Sequence, residues 1–163
     1  MKRIWAPWRM RYLKGEHRAV EGCVFCHKIT ADDAEEHVLY RGKHCFVVLN
    51  RFPYSNGHLM IVPYAHVSSI QDLEAPVLLE MVQLLQEAQR ILGEVQAPDG
   101  YNVGINEGSA AGAGIEEHIH MHIVPRWEGD ANYMTVIGDT RVIPQSLDDT
   151  YAMLRPHFDR ISR

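Results

Sequence analysis

No apolar run in the 163 residues approaches the roughly 20 needed to span a membrane. The start, Met1-Lys2-Arg3-Ile4-Trp5-Ala6-Pro7-Trp8, lacks the apolar stretch of a signal peptide, so a cytoplasmic protein with no membrane partner is expected. Cysteine is scarce. Cys23, Cys26 and Cys45 make an odd count, which argues against a disulfide framework. Positive charge is not in surplus: 16 Lys and Arg stand against 21 Asp and Glu. A net charge of −5 disfavours a broad nucleic-acid surface, and an anionic ligand would need a local pocket of donors. No internal repeat or low-complexity segment interrupts the chain. A hydrophobic content of 46% allows a sizeable core, so 1–163 is expected to form one domain. It divides into an N-terminal arm (1–22), a core (23–126) and a C-terminal extension (127–163).

Local patterning predicts the elements. Residues 38–41 form a short strand, and the apolar run from Cys45 to Asn50 predicts a buried one. Pro53 and Asn56-Gly57 signal a turn, and His58 to Pro63 returns as the second arm of a hairpin. Residues 76–92 carry Leu78, Met81, Val82, Leu85, Ala88 and Leu92 at helical spacing, with Pro76 in the first turn and Gly93 as the stop. Residues 101–106 and 118–124 read as further strands. Ser146 is an N-cap for a last helix reaching about Leu154, closed by Pro156. Strands, one long helix, then strands imply an α+β fold with an antiparallel sheet of about five strands.

Ten histidines are many for this length, and three alternate: His118-Ile119-His120-Met121-His122. In a strand such residues share one face, while Ile119, Met121 and Ile123 point into a core. One or two alternating histidines are ordinary on a half-exposed strand. Three, directly after the small-residue loop Asn106-Glu107-Gly108-Ser109-Ala110-Ala111-Gly112-Ala113-Gly114, point to phosphoryl chemistry, because such a loop lets backbone N–H groups approach phosphate oxygens. A metal site built from all three histidines has the same spacing and is the competing reading.

Residues 102–126 resemble the signature of the histidine triad family, with its Asn-Glu-Gly-Ser and Ala-Gly segments. Asn50, Arg51, Pro53, Gly57, His58 and Pro63 resemble that family's nucleoside-binding hairpin. Trp5-Ala6-Pro7-Trp8-Arg9, Val124-Pro125-Arg126-Trp127, Gly129-Asp130-Ala131-Asn132 and Val142-Ile143-Pro144-Gln145 resemble its bacterial diadenosine tetraphosphate phosphorylase branch. The resemblance implies the family fold and a homodimer with a continuous sheet. It implies that His120 attacks the α-phosphate of a nucleotide, with His122 binding phosphate oxygens and assisting the leaving group. Asn106, His58, Gly112, Ala113 and Gly114 then lie on the phosphate side, Asn50 on the nucleoside side, and Trp127 within reach of ligand. His122, where sugar-phosphate uridylyltransferase relatives carry Gln, disfavours that branch. Ala113-Gly114 stands where the phosphorylases often carry Gly-Ser. The implied function is a dinucleoside polyphosphate phosphorylase or hydrolase, with adenosine substrates and phosphate as acceptor. Alternatives are a phosphoramidate or adenylyl-sulfate hydrolase and a non-catalytic nucleotide-binding module.

Cys23-Val24-Phe25-Cys26 admits a redox pair, half a zinc site or two buried thiols. No βαβ setting for a redox pair is visible. The resemblance implies zinc on Cys23, Cys26, His66 and His118, with His27 and His44 as competitors for a ligand place. Four protein ligands would make the zinc structural and His118 an anchor of the triad rather than a reacting group. No organic cofactor is expected. Arg51 and Lys43 are isolated charges of the kind usually left to solvent.

Overall fold

The computed structural model describes residues 22–130 and 143–161. The Trp5, Trp8 and Arg9 arm, Ala131-Asn132 and Val142 lie outside them. The elements are α1 (Val24–Thr30), β1 (Val38–Arg41), β2 (Cys45–Leu49), β3 (Leu59–Pro63), α2 (Ala75–Gln96), β4 (Gly100–Ile105), β5 (Met121–Arg126) and α3 (Leu147–Phe158). The strands form one antiparallel sheet in the order β1-β2-β3-β5-β4. None of the described helices is long and apolar enough to cross a membrane.

Strand alternation divides the core in two. Leu39, Val47, Leu49, Leu59, Ile61 and Ile123 face α2 and α3, while Val38, Phe46, Val48, Met60 and Val62 face α1 through Phe25. All five residues of β2 and of β3 are buried, because both faces of these inner strands are covered. Val48 pairs with Met60, and Met60 with His122, so His122 stands on the α1 face.

Several boundaries depart from the sequence expectation. The long helix passes through Gly93 and ends at Gln96, with Ala97 left-handed at φ 46°. Gly93 lies on the exposed side, where it costs about 1 kcal/mol, and the turn beyond it packs Val95 against the core. Pro98, which cannot continue a helix, is the effective stop. The buried stripe is Val77, Met81, Leu84, Ala88, Ile91 and Leu92, and Val82 is left 49% exposed. Ser146 caps α3 by accepting from the Asp149 N–H at 3.1 Å, but Pro156 sits inside the helix, which runs on to bury Phe158 completely. The short helix α1 had no counterpart in the sequence reading. The last strand starts at Met121 rather than 118, because the Ile119 N–H donates to the Val67 carbonyl at 2.7 Å instead of to a sheet neighbour.

Arg41 ties α1 to the sheet. Its guanidinium donates to the carbonyls of Ile29 (2.8 Å), Lys28 (2.7 Å) and Ala31 (3.2 Å), satisfying the otherwise orphaned helix end. Its Nε donates to Asp33 at 2.7 Å, and Arg155 of α3 donates to the same carboxylate at 3.0 Å. Burial alone would raise the Asp33 pKa, but these two guanidiniums hold it below the usual carboxylate range. Arg41→Leu is expected to cost about 1–3 kcal/mol through unsatisfied partners. Phe158→Ala is expected to cost about 3–5 kcal/mol through the cavity it leaves. Urea unfolding of both variants checks this, and an Arg41 variant as stable as the parent would show the cap to be idle.

Candidate active site and metal centre

His118 and His120 are buried and His122 is half-buried, and the proton positions of the three rings follow from their partners. The His120 Nδ1 lies 2.8 Å from the His118 carbonyl oxygen. A carbonyl only accepts, so Nδ1 carries the proton and Nε2 keeps a lone pair. The Tyr54 N–H donates to His58 Nδ1 at 3.0 Å, so the His58 proton is on Nε2 and is donated to His122 Nδ1 at 2.9 Å. His122 therefore carries its own proton on Nε2. The His120 and His122 ring centroids are 4.8 Å apart. The outcome is a lone pair on one ring beside an N–H on the next.

The hairpin supplies this relay. Gly57 turns the chain at φ 70°, and a Cβ there would meet the Gln96 Oε1 at 2.3 Å. Asn50 closes the hairpin base: its backbone N–H donates to the His58 carbonyl at 2.9 Å, and its Oδ1 accepts from the Phe52 N–H at 2.9 Å. His58 is fully buried with both nitrogens engaged, and its ring backs His122. Tyr54 stacks on His122 with centroids 5.9 Å apart and 26° between planes. Phe25 packs on His118 at 5.4 Å and on His120 at 4.8 Å. Neither aromatic was a sequence candidate, because each meets its histidine only through long-range packing.

His118 turns the other way. Its Nε2–H donates to the Pro63 carbonyl at 2.8 Å, which leaves the Nδ1 lone pair directed at three further groups. Cys23 Sγ lies 3.3 Å from it, Cys26 Sγ 3.7 Å and His66 Nδ1 3.3 Å, while Cys26 Sγ and His66 Nδ1 are 3.2 Å apart. Four donor atoms on a tetrahedral zinc would stand about 3.3–3.8 Å apart, given Zn–N near 2.0 Å and Zn–S near 2.3 Å. All four donor atoms lie within 4.8 Å of one another, so modest side-chain adjustment would close the set around that ion. Among the described residues these four form the converging group, and His27, His44, His120 and His122 are outside it. The all-triad metal site is therefore not what the fold assembles. Cys23 caps α1 in a wholly antiparallel sheet, without the βαβ unit of a redox pair. Cys45 is fully buried, and burial pushes its thiol up to about 12, so it is inert.

The loop after β4 is partly self-satisfied. The N–H groups of Ala111 and Ala113 donate to the Gly108 carbonyl and that of Gly112 to the Ser109 carbonyl, which leaves fewer backbone donors for phosphate than a bare glycine loop would offer. Gly112 has φ 83° and Gly114 has nothing within 4 Å of a Cβ position. Glu107 anchors the loop by accepting from Ser69 Oγ and the Ile70 N–H, both at 3.0 Å. Asn106 lines an open cleft beside His122, together with Tyr54, Asn102 and Arg126; Trp127 is half-buried outside that lining. Arg51 and Lys43 are exposed.

Burial and neighbouring imidazoles hold the pKa of His58 at about 3 and of His122 at about 4, against an ordinary 6.5. Burial also lowers that of His120. Because the folded values are depressed, the unfolded chain takes up these protons first. Stability is then fully present above about pH 6.5 and declines as pH falls toward 4. Urea titrations across that window should show the decline, and His58→Asn should flatten part of it. An equal slope in the variant would remove His58 from this account.

A family model described as the HIT domain matches residues 31–129. The AP-4-A phosphorylase of Mycobacterium tuberculosis is 41% identical over 98% of this chain and 86% of its own. The adenylylsulfatase HINT3 of Arabidopsis thaliana is 32% identical over 66% of this chain and 54% of its own. Among solved structures, a Zn-bound histidine triad family protein from Mycobacterium smegmatis superposes with a TM-score of 0.69 at 26% identity, covering 85% of this chain and 94% of that one. The chain belongs to the HIT, or histidine triad, family.

Proposed function

We propose that the chain is an enzyme that cleaves dinucleoside polyphosphates, diadenosine tetraphosphate first among them, at the α-phosphate through a nucleotidyl-His120 intermediate. The observation that carries this reading is the fixed tautomer of His120, whose Nδ1–H is held by the His118 carbonyl so that Nε2 is its nucleophilic nitrogen. The 41% identity to an AP-4-A phosphorylase supports the substrate class and inorganic phosphate as acceptor.

The Nε2 lone pair of His120 forms a bond to the α-phosphorus while the bridging P–O bond breaks, and its electron pair leaves on the oxygen of ATP. The Nε2–H of His122, set by the His58 relay, stabilises that oxygen and can supply its proton. A phosphate oxygen then attacks the adduct, the P–N bond breaks onto His120, and ADP departs. Asn50 would sit on the nucleoside side; Asn106, Gly112, Ala113 and Gly114 on the phosphate side. β4 is an edge strand with Val103 42% exposed, which supports sheet pairing across a homodimer.

His120→Ala is expected to abolish adduct formation, and His122→Ala to slow turnover by about 10²–10³-fold, the usual cost of a lost charge-stabilising donor. A His120 variant with near-normal rate would end the reading. Product analysis at fixed pH and ionic strength decides the acceptor. ADP rising in proportion to added phosphate supports phosphorolysis, whereas AMP at a rate indifferent to phosphate makes the chain a hydrolase.

Cys23, Cys26, His66 and His118 are read as a zinc site. With four protein ligands no coordination position is left for substrate, so the metal would brace the triad and lend folding free energy. Elemental measurement on protein purified without added metal is expected to give about one zinc per chain, and Cys26→Ser to lower both zinc content and Tm. Absence of metal, with freely reactive Cys23 and Cys26, would refute it.

A further inference from the structure

Beyond His122, the α1 face of the sheet continues as a groove between β4 and β5. His122, Val124 and Arg126 line one side, and Asn102, Gly104 and Asn106 the other, around a volume of about 330 Å³. That is at the lower end of the ~300–1,000 Å³ of small-molecule sites. The groove runs from His122 to Arg126, roughly 13 Å along the strand. Tyr54 of the hairpin turn closes the end beside His122, while His120 and Asn50 are not part of the lining. Gly104 lies directly opposite His122, and a Cβ there would meet nothing within 4 Å, so the groove is open where it leaves the triad.

Its far end is polar and electrically compensated. Arg126 donates to Asp130 from Nε at 2.6 Å and from Nη2 at 2.7 Å, and to Asn102 Oδ1 from Nη1 at 2.6 Å. A guanidinium has five N–H groups, and these bonds use three. The Asn102 amide spends its oxygen and keeps its NH2 as a donor. Directed donors whose charge is cancelled by a carboxylate suit ribose hydroxyls and the edge of a base better than a bare polyphosphate. In phosphoryl transfer the leaving oxygen departs roughly opposite the nucleophile. His122 stands between His120 and the groove along β5, so a group expelled past His122 enters it.

We propose that this groove is a subsite for the nucleoside of the leaving group, so that the enzyme grips both ends of a dinucleoside polyphosphate. The proposal rests on the nucleotidyl-His120 reading. It makes Gly104, Asn102 and Arg126 specificity-determining residues of that reaction.

The test compares kcat/KM for diadenosine tetraphosphate with that for adenosine 5′-fluorophosphate. The second gives the same adduct but expels fluoride, which needs no groove. In Gly104→Val and Arg126→Gln, each shown by thermal melting to be folded, the ratio of the two values is expected to fall about tenfold or more, the scale on which pocket contacts discriminate substrates. A ratio equal to that of the parent in both variants overturns the subsite, whether or not absolute rates change. If the parent forms no adduct at His120 with either compound, the underlying reading has failed instead, and the two failures are distinguishable.

Discussion

The His118 residue is held at three points at once. Its Nε2–H is taken by the Pro63 carbonyl, its Nδ1 faces Cys23, Cys26 and His66, and its own carbonyl accepts the Nδ1–H of His120. His118 itself is fully buried and His120 nearly so, and leaving the polar groups of these two rings unsatisfied would cost about 1–3 kcal/mol each. A rotation of the ring or a flip of the peptide would break more than one. The carbonyl that orients His120 is therefore fixed by contacts made by the same residue's side chain. The nucleophilic role proposed for His120 needs that degree of restraint, since its lone pair would have to meet phosphorus along one line.

The fold delivers these partners from well-separated parts of the chain. β3 carries Pro63 at its end and Met60 in register with His122. The β2–β3 hairpin returns His58 beneath His122. α1 brings Cys23 and Cys26, and it is secured from the other side by Arg41, whose guanidinium reaches three carbonyls at the helix end. Asp33 joins that cation to Arg155 of α3, so the C-terminal helix is linked to the element bearing the cysteines.

Most of the sheet was legible from local pattern. β1 matched its expected span, and β2 and β3 differed by one residue each, because unbroken apolar runs between turn residues have few other readings. The helix end was misread for a physical reason: Gly93 satisfies the rule for a stop, but burial further along outweighs the modest cost of glycine, and Pro98 enforces the end. α1 has seven residues and one fully buried side chain, too little for a periodic signal. The triad histidines and the Cys/His set could be named in advance. Which nitrogen of each ring was occupied could not, since that depends on the Pro63 carbonyl, the Tyr54 N–H and the His118 carbonyl. Likewise Asn102 and Arg126, 24 positions apart, become neighbours only through β4–β5 pairing.

The distribution of charge explains how an acidic chain can accommodate a polyanion. With a net charge of −5 there is no long-range field to attract phosphate, and the cation nearest the cleft is already neutralised by Asp130. On the proposed reading, recognition comes from dipoles at short range: the His122 N–H, asparagine amides and the backbone donors that the 108–114 loop has not spent on itself. Depressed imidazole pKa values serve the same end. A protonated His58 could no longer accept from the Tyr54 N–H, and a protonated His122 could no longer accept from His58, so either charge would dismantle the relay that orients the His122 ring. Neutral rings keep their directions and need no counterion. The site therefore trades affinity at a distance for orientation on contact, the quantity that favours a transition state over its ground state.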